Sequence, residues 1–418
     1  MSLFPDTAPL RESRSFRLLW IGQLISLTGS QLRLVALPYQ VFLLTGSSFD
    51  VGVVGLFQAV PLLALGLFGG AFADAVDRRR LLLVTQVGLA AVSVALAVVT
   101  QLGLATVPLL YLLTALGASF SALEHPTRSS LLPTLVERRH INASIALTQT
   151  IWQIASVLGS LLAGVVIAHA GLAGAYWFDV LSFAAAFIAV WNMRTPPRAP
   201  TERVPVVRAI VEGVRYLGAT RILLATMALD FLAMFFGSPR ALFPYYAERV
   251  FHVGPEGLGL LYASMGIGAL LVAVGSGWTA RVKRQGLTIL AGVTVWGIAI
   301  ALFGVLDEGM FALGCVLLAI AAGADIVSTI LRGTILQLVV PDALRGRLNA
   351  INLMFVAGGP YLGQFESGAV AAIWSPVASI VSGGIACVVS VFAIATWLPE
   401  IVRQRARPED APMREGRP

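Results

Sequence analysis

Arg33, Glu124, Asp179, Asp230, Arg240, Asp325 and Glu366 stand inside stretches otherwise built from Leu, Val, Ala, Gly and Phe. A charge at the centre of a membrane-spanning helix costs about 2.5–3.5 kcal/mol on insertion scales, and such residues mark ion and substrate paths. Burial raises a carboxylate's proton affinity and a nearby guanidinium lowers it. A carboxylate whose arginine partner comes and goes can therefore carry a proton. Asp230 and Asp325 lie nearest the middle of their stretches, and Arg33 or Arg240 would oppose them. Glu366 has no local partner and is a second candidate. Glu124 has Arg128 four residues on, the spacing of a local helical ion pair. Asp325 and Arg332 share a helix face two turns apart, which predicts no direct contact. Asp179, close to Tyr176 and Trp177, reads as a structural charge near an interfacial aromatic belt.

Amide and aromatic groups share these stretches. Gln23, Gln58, Gln149, Gln153, Phe231, Phe235, Phe236, Tyr262 and Tyr361 are candidates to line a cavity. Their rings suit a flat amphipathic ligand, while Arg33 and Arg240 suit an anionic one. For any one of them, packing or lipid contact is the plainer reading.

The elements that must hold these groups follow from composition. The chain of 418 residues is 57% hydrophobic and 12% charged, with a mean hydropathy of +0.83. Soluble domains carry about a quarter charged residues. A run of about 20 apolar residues crosses a bilayer, and only helices or closed barrels satisfy their backbones there. Alternating ten-residue strands are absent, so the expectation is an all-α membrane protein with twelve transmembrane helices. The expected spans are Phe16–Leu44 (kinked near Pro38), Val51–Phe72, Leu81–Leu102, Val107–Leu131, Ile145–Ile167 and Ala175–Val190, then Ile222–Tyr246, Leu258–Trp278, Leu287–Leu306, Phe311–Leu338, Leu348–Ile373 and Pro376–Leu398. The first is too long for a signal peptide and no small-x-small cleavage site follows it.

Arginines decide the sides. Arg11, Arg14, Arg78 to Arg80, Arg138, Arg139, Arg281, Arg284, Arg345, Arg347 and the tail from Arg403 fall between alternate spans; Arg249 is the main exception. The positive-inside rule puts both termini in the cytoplasm, with the chain in the inner membrane. The segment 196–221 is a Pro- and Arg-rich linker. Within it Val207, Ile210, Val211 and Val214 fall on one face of a helix and Arg208, Glu212 and Arg215 on the other. A membrane-surface helix and a solvated linker helix both fit that pattern.

The sequence also repeats. Asp50-Val-Gly-Val matches Gly257-Leu-Gly-Leu, Gly70 aligns with Gly277, Arg128-Ser-Ser-Leu-Leu with Arg332-Gly-Thr-Ile-Leu, and Asn142-Ala with Asn349-Ala, in the same order. That order indicates duplication into two pseudo-symmetric six-helix bundles, 1–195 and 222–418, about an axis along the membrane normal.

These residues carry a resemblance. Gly70-Ala-Phe-Ala-Asp74-Ala-Val-Asp77-Arg78-Arg79 resembles the loop between the second and third spans of the major facilitator superfamily, with Ala75 and Asp77 departing from it. Phe16-Arg-Leu-Leu-Trp20, Leu44-Thr-Gly-Ser47, Ala241-Leu-Phe-Pro244, Gly259-Leu-Leu-Tyr-Ala263 and Pro341-Asp-Ala-Leu-Arg-Gly-Arg347 resemble its enterobactin-exporter branch, which includes drug and macrolide efflux relatives. In the fifth span Ala155, Gly159, Ser160 and Gly164 keep the small residues of the antiporter motif without its proline. The resemblance implies proton-driven export by alternating access, with Gly70, Asp74, Arg78 and Arg79 as a cytoplasmic gate loop. A non-transporting membrane sensor on the same fold is the alternative from another class.

Other chemistry is not indicated. Cys315 and Cys387 lie deep in apolar runs, and the four histidines lack ligand spacing, so no metal site or cofactor is expected. No Walker loop or other enzyme signature occurs. The net charge of +7 belongs to the arginine-rich loops rather than to a nucleic-acid surface. The expected partners are a small molecule, protons and the lipid bilayer, with the chain acting as a monomer.

Overall fold

The structure, a computed structural model, describes residues 6–75, 77–193 and 206–404. It gives no side chains at 67–75, 206–211, 342, 343, 345–347, 349, 350 and 353. Every regular element among the described residues is a helix. The membrane passes are numbered α1 to α12. α1 is Arg14–Thr45, α2 Ser48–Ala75, α3 Arg78–Gln101 and α4 Val107–Leu135. The helical stretch Ile141–Trp191 bends at Gly171, and its two arms are α5 and α6. α7 begins as Arg221–Phe236 and continues in short turns to Val250. α8 is Gly254–Val274, α9 Gln285–Gly304, α10 Phe311–Val339, α11 Asp342–Ile373 and α12 Pro376–Trp397.

Among the described residues nine helical segments are long and apolar enough to cross a membrane. One of them spans 54 residues and turns back at Gly171, so it crosses twice. Adding the polar-flanked α1 and α11 gives the twelve expected passes. Large apolar side chains point outward, among them Leu181 and Leu271 at 69% exposure and Phe392 at 65%. In water such a surface would aggregate; against lipid tails it is at home.

Local chemistry places the helix ends. Ser13, Asp77 and Ser375 each accept a hydrogen bond from a first-turn amide, 2.9–3.1 Å from Phe16 N, Arg80 N and Ala378 N. Asp77, which departs from the family loop pattern, is thus the cap of α3. Gly46 ends α1 at φ 66°, its amide donating to Phe42 O at 2.7 Å. Gly171, at φ 71°, makes the sharp turn between α5 and α6 without a loop. α1 runs through Pro38 as one helix. α8 stops at Val274, short of the expected Trp278, because Gly275 leads into a tight 3₁₀ segment, Ser276–Arg281.

The halves meet along α2 with α11 and α5 with α8. Small residues allow close approach. A Cβ on Gly52 would stand 2.8 Å from Gln364 O, and one on Gly164 2.8 Å from Pro255 O. On the same side Tyr39 of α1 donates to Glu248 of α7 at 2.6 Å, and Phe42 meets Tyr245 edge-on at 6.5 Å. These contacts all lie at the membrane face opposite the arginine-rich loops. Beside them an aromatic cluster of Phe243, Tyr246, Phe251, Phe303 and Phe311 anchors the end of α7, and the Tyr246 hydroxyl donates to Gly304 O at 2.7 Å.

The linker helix runs Val206–Ala219. Its Tyr216 hydroxyl donates to Val339 O at 3.2 Å, tying it to the end of α10. The rest of the expected linker, 196–205, lies outside the described residues.

Candidate functional site

In the second half, α7 carries Asp230 on its buried face and α10 brings Arg332 against it. Arg332 Nη2 lies 2.5 Å from Asp230 Oδ1 and 3.6 Å from Asp325 Oδ1. Two carboxylates thus share one guanidinium. Arg332 also donates to Ser328 Oγ at 3.1 Å and Thr329 Oγ1 at 2.9 Å. This corrects two expectations. The partner of Asp230 and Asp325 is neither Arg33 nor Arg240, and Asp325 and Arg332 do meet. Helical side chains lean toward the N-terminus, so a long arginine reaches back over its own preceding turns.

Arg33 is held in the first half. Its Nε lies 3.1 Å from Asp179 Oδ2, whose carboxylate is fully buried. Asp179 also accepts from Ser93 Oγ at 2.7 Å, and the Ser182 hydroxyl donates to its carbonyl at 2.7 Å. Gly117 on α4 makes room for the guanidinium: a Cβ there would stand 2.7 Å from Arg33 Nη1. α1, α3 and α6 are pinned together at this point. Glu124 pairs with Arg128 within α4, as the spacing predicts.

Arg240 follows a break in α7. Helix Arg221–Phe236 stops at Gly237, and the chain resumes as the 3₁₀ turn Arg240–Leu242. The break is clamped to α11, where Ser367 Oγ donates to Ser238 O at 2.9 Å. Arg240 itself is exposed, and among the described residues its guanidinium has no hydrogen bond or ion pair. Glu366, half-buried on α11, has no salt bridge among the described residues, with Ser367 as its polar neighbour.

The expected liners separate. The Tyr262 hydroxyl donates to Arg240 O at 3.3 Å, and its ring meets Phe243 edge-on. A Cβ on Gly55 of α2 would stand 2.5 Å from Tyr361 O, so Tyr361 lies on the seam between the halves. Phe231 and Phe235 stack on each other at 5.7 Å, and Phe231 meets Phe355 of α11, so both help pack the α7–α11 seam. Gln23 is buried, Gln58 and Gln153 half-buried and Gln149 exposed.

A match to the family described as transmembrane secretion effector covers residues 5–415. The chain belongs to that family. It is a multi-pass membrane protein of the major facilitator fold, a secondary transporter with a small-molecule substrate, and not an enzyme. The enterobactin exporters EntS of Escherichia coli O157:H7 and Citrobacter koseri are both 26% identical to it. They align over 97% and 98% of this chain and 97% of their own length. Among solved structures, the nucleoside transporter NupG superposes with a TM-score of 0.73 at 14% identity, over 91% of this chain and 99% of that one. The D-xylose–proton symporter gives 0.72 at 14% identity, over 94% and 99%. A bacterial homologue of the lysosomal transporter Spinster, inward-facing and unoccupied, gives 0.70 at 15% identity, over 94% and 98%.

Within this secretion effector fold the two arginines that open α3 bond to carbonyls of their own half. Arg79 Nε donates to Val190 O at 3.2 Å at the end of α6, and Arg78 Nη1 to Ser130 O at 3.0 Å on α4. Arginines at helix C-termini satisfy free carbonyls and oppose the helix dipole. Gly70 lies within α2, and the Asp74 side chain lies outside what is described. The sequence reading missed Arg332 as the hub, Asp179 as the partner of Arg33, and the Tyr39–Glu248 bond. The i, i+7 pair of Asp325 and Arg332 was the one legible signal.

Proposed function

We propose that this protein is a proton-coupled exporter of a small amphipathic compound of the siderophore type. It would work by alternating access in the bacterial inner membrane, as a monomer with both termini in the cytoplasm. The observation that carries the proton reading is the cluster of Asp230 and Asp325 around Arg332. Two carboxylates on one guanidinium leave one negative charge over. A proton taken there neutralises it without stranding a buried cation. The named cargo of the EntS relatives supports the substrate class.

The alternating-access reading is supported by where the halves touch. With the arginine-rich loops inside, the seam of Tyr39–Glu248, Gly52 and Gly164 would close the outer side, and a cavity between the halves would open inward. Gln23, Gln58, Gln149, Gln153, Tyr262 and Tyr361 remain candidates to line it, with Glu366 and Glu124 as further acids on the proton path. Moving to the outward-facing state breaks the Tyr39–Glu248 bond. The loop with Gly70, Asp74, Arg78 and Arg79 then approaches the other half on the inner side.

Purified protein in vesicles containing enterobactin tests this. An imposed pH gradient is expected to speed efflux, and the double variant D230N/D325N is expected to lose that dependence. Gradient-driven efflux that survives in the double variant would rule out the coupling site.

A further inference from the structure

Among the described residues, every other guanidinium set well inside a span has an acidic partner. Arg33 has Asp179, Arg128 has Glu124, and Arg332 has Asp230 and Asp325. Arg240 stands apart. Its flanking residues Gly237, Ser238, Pro239, Ala241 and Leu242 are buried, yet its own side chain is exposed and has no ion pair among the described residues. An unpaired cation at that depth is expensive in lipid.

The turn Arg240–Leu242 packs against α2 of the first half and α11 of its own. The Tyr262 hydroxyl on α8 donates to Arg240 O at 3.3 Å. Tyr361 of α11 lies on the same seam, where a Cβ on Gly55 of α2 would stand 2.5 Å from its carbonyl oxygen. Arg240 therefore stands at the space between the halves rather than at the bilayer. Its backbone is fixed: Ser367 clamps the break from α11, and the aromatic cluster around Phe243 and Tyr246 holds the next turn. A guanidinium on a rigid backbone is preorganised, and its planar fork suits a carboxylate or similar oxyanion.

We infer that Arg240 is the specificity residue for an anionic group on the cargo, which seats beside Tyr361. Arg33 already has its counter-charge in Asp179. The proposal rests on the transport reading above and adds the charge of the substrate to it. Asp325 stays with Arg332 and leaves Arg240 open, which is why the cargo, and not a side chain, completes the pair.

Two fluorescent probes with one ring system test it: dansylglycine, which carries a carboxylate, and its uncharged amide. The full chain is reconstituted in phosphatidylcholine vesicles, so that no anionic headgroup competes. Fluorescence titration is expected to show the acid bound about tenfold or more tighter than the amide, the scale of a charge-assisted hydrogen bond. R240Q should lose that preference while binding the amide unchanged, and R240K should keep part of it. Equal binding of both probes, binding of neither, a preference that persists in R240Q, or a parallel loss of both in R240Q would each overturn the inference. Gradient-driven efflux of enterobactin by the wild type separates the two readings: if it persists while the probe preference is absent, the anion seat alone fails.

Discussion

The two halves treat their buried charges differently. In the first, each acid has one arginine: Asp179 holds Arg33 across helices and Glu124 holds Arg128 within α4. In the second, Arg332 serves two acids and Arg240, among the described residues, serves none. The duplication makes the contrast sharp, because Arg128 and Arg332 occupy matching positions in the repeat. Where Arg128 finds Glu124 one turn away, the position four residues before Arg332 is Ser328, which only accepts a hydrogen bond. Arg332 therefore reaches further, to Asp325 two turns back and to Asp230 on another helix. Matching positions thus hold closed pairs in one half and an uneven cluster in the other. A one-to-one pair resists change; an uneven cluster has a charge left over to respond with.

Stability should separate the halves most strongly. D179A strands Arg33 in a dry site, a loss of about 3–5 kcal/mol, and D325A should cost far less because Arg332 keeps Asp230. Thermal unfolding of both variants in one detergent checks this, and equal losses would erase the contrast. Transport should separate them in the opposite sense. Removing the Arg33–Asp179 pair together, as R33Q/D179N, should leave pH-gradient dependence in place, whereas D230N should abolish it. Vesicle efflux under imposed gradients reads out both. A coupled D230N protein would move the proton site out of the second half.

The bond that joins the halves is weaker. Y39F removes the hydroxyl donated to Glu248 and should favour opening of the outer face by about 1 kcal/mol. Labelling from the outer side of a cysteine placed at Ser48, a buried seam position where the change is nearly isosteric, should rise several-fold. Unchanged labelling would show that the glycine seam alone holds that face shut. The smallest effect belongs to the loops. Hydrogen bonding at the start of its short helix and Arg221, 3.2 Å away, hold the Glu400 carboxyl below its usual range. Its contribution is present near neutral pH and fades as acid protonates it. E400Q should therefore lower the melting temperature slightly at pH 7, and the difference should vanish in acid.

Much of this was legible in the sequence because the bilayer is a strict solvent. Length and apolarity alone set the spans, arginine placement set the expected sides, and the repeat set the two halves. Glu124 and Arg128 could be paired because helix geometry fixes neighbours four residues apart. Asp77 could not be read as a cap from a loop pattern that has Gly there. The partners of Arg33 and Asp230 lie 146 and 102 positions away along the chain, and no spacing rule reaches that far. Only the packing of α1 against α6, and of α7 against α10, decides which acid meets which arginine. It also leaves Arg240, after the break in α7, without an acidic partner among the described residues.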